Sequence, residues 1–99
     1  MEVFTGQDYK AKNSVLMFSG EFCMACRTMK PSVLDMEKTY QGVSFFYVDA
    51  ESNPELVNEF QVSNLPTLVF LRGGTETSII RGAVSKKKLQ EEFTSVYGG

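Results

Sequence analysis

The chain has 99 residues, of which 42% are hydrophobic and 22% are charged, and ten basic against twelve acidic side chains give a net charge of −2. A chain of this length forms one domain, residues 1–99, and this balance of charges argues against nucleic acid as a partner. The apolar runs are far shorter than the about 20 residues of a membrane helix. The N-terminus lacks the basic start and apolar core of a signal peptide. We therefore expect a cytoplasmic monomer without membrane contact.

The first half of the chain predicts a strand followed by a long amphipathic helix. Polar residues dominate the N-terminus, where a short helix is expected around Thr5 to Lys12. Val15 to Ser19 is almost continuously apolar, as in a strand that is buried on both faces. From Phe22 to about Gln41, apolar residues recur every three or four positions, which predicts a helix with one buried face. Gly42 is expected to end this helix, and Pro31 is expected to kink it.

The second half predicts a strand, a short helix, a hairpin and a final helix. The expected strands are Val43 to Val48, Thr67 to Arg72 and Thr75 to Arg81, and the expected helices are Pro54 to about Phe60 and Ser85 to about Tyr97. The order β-α-β-α-β-β-α is typical of the α/β class, with a central mixed sheet of about four strands and helices on both sides. A right-handed crossover makes the first two strands parallel, so the segment after the first strand lies at the sheet edge where sites usually form.

The only two cysteines, Cys23 and Cys26, stand three residues apart at the predicted start of the long helix. This spacing places both sulfurs on one face, close enough for a disulfide with little backbone movement. Cys23 is nearer to the unpaired amides and the positive end of the helix dipole, which favour a thiolate, and Cys26 lies one turn further in. The pattern therefore predicts that Cys23 attacks a substrate disulfide and that Cys26 then attacks the mixed disulfide.

Two other uses of the cysteines stay open at this point. They could be buried thiols that do not react, or they could be metal ligands. Because two sulfurs cannot complete a tetrahedral zinc site in a chain without histidine, a metal would have to be shared between two chains. Arg27 and Lys30 add positive charge nearby and are expected to be solvated on the outer face of the helix.

Several short motifs occur in the order and spacing of thioredoxin, and nearly the whole chain resembles that family. They are Phe-Cys-Met-Ala-Cys at 22–26, Lys30-Pro31, Asp49 to Pro54-Glu-Leu, Leu65-Pro66-Thr67, Gly73-Gly74 and Gly82-Ala-Val-Ser-Lys86. The resemblance implies the thioredoxin fold, with Cys23 as the nucleophile, Cys26 as the resolving cysteine and Pro66 as the family's cis-proline. It also implies a shallow, mostly apolar substrate groove formed by Phe22, Met24, Ala25, Ala50, Leu65 and Gly82. Leu65 would offer its backbone groups to an extended substrate.

The chain departs from the thioredoxin pattern at positions that bear on proton transfer. Met17 occupies the strand position of a buried aspartate that helps to move the proton of the resolving cysteine, and Tyr47 replaces the lysine that commonly accompanies it. Met24-Ala25 replaces the usual Gly-Pro between the cysteines. Water or Glu21 would have to do the work of the missing acid. The family's first strand is either missing or reduced to Glu2-Val3-Phe4.

A protein with this resemblance is expected to reduce protein disulfides by thiol-disulfide exchange, and so to serve electron transport and cell redox homeostasis. No metal and no cofactor other than the Cys23-Cys26 disulfide are expected. Because each turnover leaves this pair oxidised, a separate enzyme of the thioredoxin-reductase type has to recharge it. One alternative is a glutaredoxin-like reductase that uses glutathione, although the distal Gly-Ala-Val-Ser-Lys motif favours thioredoxin. A second is a non-catalytic interaction module, which the missing aspartate and lysine motivate.

Overall fold

A central sheet and three α-helices make up the fold, which a computed structural model describes for residues 1–99. The strands are β1 (Glu2–Val3), β2 (Ser14–Ser19), β3 (Ser44–Asp49), β4 (Thr67–Arg72) and β5 (Thr75–Arg81). The helices are α1 (Met24–Thr39), α2 (Pro54–Glu59) and α3 (Lys86–Tyr97), and a short 3-10 helix spans Tyr9–Ala11. None of the helices is both long enough and apolar enough to cross a membrane.

Strand β2 is the middle strand of the five-stranded sheet, whose order is β1-β3-β2-β4-β5. It runs parallel to β3 and antiparallel to β4, so the sheet is mixed as the sequence predicts. Every residue of β2 is buried, because a strand lies on each side of it and helices cover both faces of the sheet. Ser19 pairs with Asp49, so β2 and β3 end at the same edge of the sheet.

Alternate residues of β2 contribute to two hydrophobic clusters, one on each face of the sheet. Met17 belongs to the cluster formed with α1 and α3, which also contains Cys26. Phe18 belongs to the opposite cluster, which includes residues of α2 and of the 3-10 helix. Phe93 of α3 stacks on Phe45 of β3 with ring centroids 5.6 Å apart. Helices α1 and α3 therefore cover the face of the sheet on which Cys26 is buried.

The turn between β4 and β5 packs against the N-terminal segment. Gly73 and Gly74 both have positive φ angles, 59° and 85°. The Gly73 amide donates a hydrogen bond to Asn13 Oδ1 at 2.8 Å. The α-carbon of Gly74 lies so close to the Lys10 carbonyl that any Cβ at this position would collide with it. Position 74 therefore requires glycine for space as well as for its backbone angles.

The N-terminal segment differs from the sequence prediction in two ways. The prediction of a helix over Thr5 to Lys12 is wrong, because only a 3-10 helix forms there, with Tyr9 as its one buried residue. Gly6, at a φ of 102°, has a backbone conformation that no right-handed helix contains. The sheet has five strands rather than the about four expected, because Glu2–Val3 pairs with β3 as a two-residue parallel strand.

Helix α1 is shorter than predicted at both ends. It begins at Met24 rather than Phe22, because Cys23 has extended backbone angles (φ −94°, ψ 99°) and caps the helix. It ends at Thr39, with Tyr40 as the capping residue, so it stops before the predicted breaker at residue 42. Pro31 lies inside the helix as predicted. The bounds of β4 and β5 agree with the prediction.

Candidate active site

The two cysteines lie at the N-terminus of α1, just after the end of β2. They form a disulfide, with their Cα atoms 5.3 Å apart. Cys23 Sγ also accepts a hydrogen bond from the Cys26 amide at 3.1 Å, which makes it the side-chain cap of the helix. The Cys23 amide donates to the Gly20 carbonyl at 3.4 Å. The disulfide is therefore part of the helix cap, and its position is set by the backbone on both sides.

The two sulfur-bearing residues differ in their access to solvent. Cys26 is only 2% exposed, whereas Cys23 is partly exposed. Phe22 is 88% exposed and Met24 is 69% exposed, so a large apolar side chain flanks Cys23 on each side in the sequence. Ala25 is exposed as well. Exposed apolar side chains grouped in this way are typical of a contact surface.

The loop before β4 lies beside the loop that leads to Cys23. The Leu65-Pro66 peptide bond is cis, and the Pro66 carbonyl accepts a hydrogen bond from the Gly82 amide at 2.8 Å. A Cβ on Gly20 would lie only 3.0 Å from Leu65 Cδ1, so the Leu65 side chain rests on the start of the cysteine loop. Neither the amide nor the carbonyl of Leu65 takes part in a backbone hydrogen bond.

Ala50 is attached to the end of β2, because its amide donates to the Ser19 carbonyl at 2.9 Å. It lines an open concavity that follows α2 and includes Pro54 and Val57. A second concavity lies between α2 and the residues that follow β1. Neither of them includes a cysteine. The substrate groove around Cys23 therefore stays a prediction.

Arg27 makes contacts that its sequence position does not reveal. Its Nη2 donates to the Glu21 carbonyl at 3.0 Å, and its Nη1 lies 3.7 Å from Met24 Sδ. The guanidinium therefore spans the loop on which Cys23 lies. Glu21 is exposed, whereas Cys26 is buried, so the structure gives no support for Glu21 as a substitute for the missing buried acid.

The buried side of the site has an apolar residue where the resemblance implies an acid. Met17 is fully buried in the same cluster as Cys26. Tyr47, which is paired with Met17 across β2 and β3, donates a hydrogen bond from its hydroxyl to Ser19 Oγ at 2.8 Å. Lys30 Nζ lies 4.7 Å from the centre of the Tyr47 ring, so this lysine is exposed but not purely solvated. Nothing in the sequence marks Ser19 as a site residue, because it is only a serine at the end of an apolar strand.

The donor set for a metal ion is small. No group of three or more His, Cys, Asp or Glu side chains is arranged so that it could hold a metal ion. The two cysteine sulfurs are bonded to each other as a disulfide. Such a pair can undergo thiol-disulfide exchange, for which one sulfur has to be accessible and the other has to lie next to it.

Comparisons with known proteins point to one family. The sequence profile of the thioredoxin family matches residues 3–95. Thioredoxin H5 of Oryza sativa subsp. japonica is 33% identical over 82 residues, which cover 83% of this chain and 60% of the rice protein. An H-type thioredoxin of Fagopyrum esculentum is 35% identical over 78 residues, covering 75% of this chain and 67% of that protein. The chain thus spans about three-fifths to two-thirds of the length of these relatives.

A solved structure agrees with the sequence comparisons. The X-ray structure of Fasciola hepatica thioredoxin has a TM-score of 0.79 and 31% sequence identity to this chain, covering 90% of it and 85% of the fluke protein. With the family profile matched from residue 3 to residue 95 and a disulfide at the start of α1, the chain belongs to the thioredoxin family.

Proposed function

We propose that this chain is a thiol-disulfide oxidoreductase that reduces disulfide bonds of protein substrates through Cys23 and Cys26. The observation that carries the proposal is the unequal exposure of a disulfide at a helix N-terminus, with Cys23 partly exposed and Cys26 2% exposed. A substrate can reach only one of these two sulfurs. The other is placed to react within the protein.

The proposed reaction has two exchange steps. In the reduced protein the Cys23 thiolate attacks one sulfur of a substrate disulfide, a mixed disulfide forms, and the second substrate sulfur leaves as a thiolate. The Cys26 thiolate then attacks Cys23 Sγ, which releases the first substrate sulfur and forms the Cys23-Cys26 disulfide. Two electrons pass to the substrate, and the proton of Cys26 passes to water or to the departing thiolate.

Backbone groups at the start of α1 support the role of Cys23 as the nucleophile. The Cys26 amide lies 3.1 Å from Cys23 Sγ and can donate to a thiolate there. The positive end of the helix dipole and the guanidinium of Arg27, which is hydrogen-bonded to the Glu21 carbonyl, also favour negative charge at this point. No histidine is available to do the same work.

The proposed partners follow from this chemistry. Substrates are proteins with accessible disulfides, and a separate reductase of the thioredoxin-reductase type returns the oxidised pair to the dithiol. The family matches do not favour a glutaredoxin-like use of glutathione or a purely structural module. The cytoplasmic location and the lack of a further cofactor stay predictions from the sequence.

Reduction of insulin tests the proposed activity. The wild-type protein should accelerate the precipitation of insulin by dithiothreitol, and Cys23→Ser should be no faster than dithiothreitol alone. Equal acceleration by the two proteins would contradict the proposal. An assay with glutathione and glutathione reductase in place of dithiothreitol identifies the glutaredoxin alternative, which would be favoured by turnover in that assay.

A trapping experiment tests the order of the two cysteines. Cys26→Ser lacks the resolving sulfur, so it should accumulate a mixed disulfide with insulin that is visible by mass under non-reducing conditions. Cys23→Ser should form far less adduct, because Cys26 is buried. If the adduct forms on Cys26 instead, the assignment of the two roles is reversed.

A further inference from the structure

Met24 is unlike the other methionines of the chain. Met17, Met29 and Met36 are between 0% and 5% exposed, and Met1 is partly buried. Met24 is 69% exposed, and it lies between Cys23 and Cys26. Because oxidation of a thioether requires that the oxidant reach the sulfur, Met24 is the methionine most open to it.

A hydrogen-bond donor already lies at the Met24 sulfur. Arg27 Nη1 is 3.7 Å from Met24 Sδ, a distance at which a thioether accepts only a weak hydrogen bond. The other end of the same guanidinium donates to the Glu21 carbonyl at 3.0 Å, which limits its movement. The donor is therefore in position before any oxygen is added to the sulfur. A sulfoxide oxygen is a much stronger acceptor than a thioether sulfur.

We propose that Met24 is an oxidation site whose sulfoxide is bound by Arg27, and that its oxidation slows the reaction of Cys23 with protein substrates. The oxidant is hydrogen peroxide. A lone pair of Met24 Sδ attacks one peroxide oxygen, the O–O bond breaks, and the other oxygen leaves as water after it takes the proton of the transferred oxygen. The sulfur loses two electrons and the peroxide gains them. A methionine sulfoxide reductase would reverse the change.

The effect on activity rests on the proposed function, whereas the oxidation site does not. Oxidation converts a flexible apolar side chain into a polar one. Met24 and Phe22 are the two large apolar side chains exposed beside Cys23. A substrate that covers this surface would then have to desolvate the sulfoxide and compete with Arg27 for it, and its binding would weaken.

The first experiment measures where oxygen is added. The protein is treated with hydrogen peroxide while the Cys23-Cys26 disulfide is intact, and each methionine is followed by peptide mass spectrometry. Sulfoxide should form at Met24 at least about tenfold faster than at Met17, Met29 and Met36. A rate at Met24 no higher than at these buried residues would overturn the proposal.

The second experiment measures the contact with Arg27. Hydrogen exchange of the arginine side chains is followed by nitrogen-15 NMR before and after oxidation. The Arg27 side-chain protons should exchange several-fold more slowly in the sulfoxide form, while those of Arg72 and Arg81 should not change. An Arg27 signal that changes no more than that of Arg72 would exclude the contact.

The third experiment measures the effect on activity, and each protein is compared with its own untreated sample. Peroxide treatment should slow insulin reduction by the wild type by about fivefold. It should leave the rate of Met24→Leu at its untreated value, because leucine has no thioether. An equal loss of rate in both proteins would overturn the proposal that oxidation of Met24 slows the reaction of Cys23. If the untreated protein does not reduce insulin at all, the proposed function fails, while the first two experiments still decide the oxidation site.

Discussion

The Tyr47 hydroxyl donates a hydrogen bond to Ser19 Oγ at 2.8 Å, on the sheet face that α1 covers. Met17, which is paired with Tyr47 across β2 and β3, is fully buried beside them. The face of the sheet beneath Cys26 thus has hydroxyl groups and a thioether where the family resemblance implies a carboxylate and an ammonium group.

Introducing the missing acid should destabilise this protein. Met17→Asp places a carboxyl group in an apolar cluster, and we expect it to lower the free energy of unfolding at pH 7 by about 3 to 5 kcal/mol. Burial raises the pKa of such a carboxyl above its value in the unfolded chain, about 3.9. The loss should therefore be smallest near pH 4, where only the lost methionine packing and the buried neutral carboxyl contribute, and it should grow as the pH rises toward the folded-state pKa. Urea denaturation at several pH values measures it.

Met17→Leu is the matched control, because it keeps the volume and apolar character of the side chain. It should cost about 1 kcal/mol or less, with no dependence on pH. The interpretation of Met17 as an apolar packing residue would be wrong if the aspartate variant were as stable at pH 7 as the leucine variant.

Phe22 should contribute to substrate binding and not to folding. Its side chain is 88% exposed, so Phe22→Ala should change the free energy of unfolding by less than about 0.5 kcal/mol. The same variant should slow insulin reduction by about fivefold, through a higher KM. Val3, which is 63% exposed on β1, provides the control: Val3→Ala should change neither quantity. Equal kinetics of the two variants would remove Phe22 from the contact surface.

The two glycines of the β4–β5 turn should differ in their tolerance of alanine. Gly73→Ala places a side chain in open space at a φ of 59° and should cost about 1 kcal/mol. Gly74→Ala has a comparable backbone cost and also forces the Lys10 carbonyl to move, so it should cost about 3 kcal/mol. Thermal denaturation of the pair measures the difference. Equal losses of stability would mean that the N-terminal segment moves away from position 74 at little cost in free energy.

The ion pair between α1 and α3 should make stability depend on pH. Lys86 Nζ lies 2.8 Å from Asp35 Oδ2, and this hydrogen bond and the charge of Lys86 lower the pKa of Asp35 below 3.8. The stabilisation is therefore present above pH 3.8 and is lost as the pH falls through the lower, folded-state pKa. Lys86→Gln should lower Tm at pH 7 and have no such effect near pH 2. The difference should shrink at high salt.

Lys87→Gln is the control for this prediction. Lys87 has the same charge, lies at the same end of α3 and forms no ion pair. The Lys87→Gln variant should lack the pH-dependent loss of Tm. If the two variants show the same change of Tm between pH 7 and pH 2, the effect comes from net charge and not from the contact with Asp35.

Much of the fold could be predicted because local sequence signals and tertiary packing agree. Thr67–Arg72 and Thr75–Arg81 are strands with the predicted bounds, since a proline precedes the first strand and a Gly-Gly turn joins the two. The Cys-x-x-Cys pair lies at the helix start, as its spacing predicts. Local signals do not predict the N-terminal segment, because its two-residue strand is defined by pairing with β3, more than 40 residues away. Only the resemblance to thioredoxin offers Glu2-Val3-Phe4 as a reduced first strand, and Glu2–Val3 is that strand.

The polar contacts of the site were harder to predict than its cysteines. Tyr47 and Ser19 are 28 positions apart in the chain and meet only because β2 and β3 pair in one register. Lys30 and Arg27 have the sequence pattern of a solvated helix face. Both residues are exposed, as that pattern predicts, but the pattern does not predict their contacts. The contact of Lys30 with the Tyr47 ring depends on how α1 packs on β3. The contact of Arg27 with the Glu21 carbonyl depends on the path of the loop that precedes α1, for which the sequence has no short-range signal.

The backbone of Leu65 has a consequence for selectivity. The Pro66 carbonyl is already paired with the Gly82 amide, while the Leu65 amide and carbonyl have no backbone partner. A polypeptide that pairs with Leu65 would be held through main-chain groups, which every residue of every protein has. Such a contact does not distinguish one amino-acid sequence from another. A protein that binds its partners in this way selects them by an exposed disulfide on an extended segment, and so it can serve many of them.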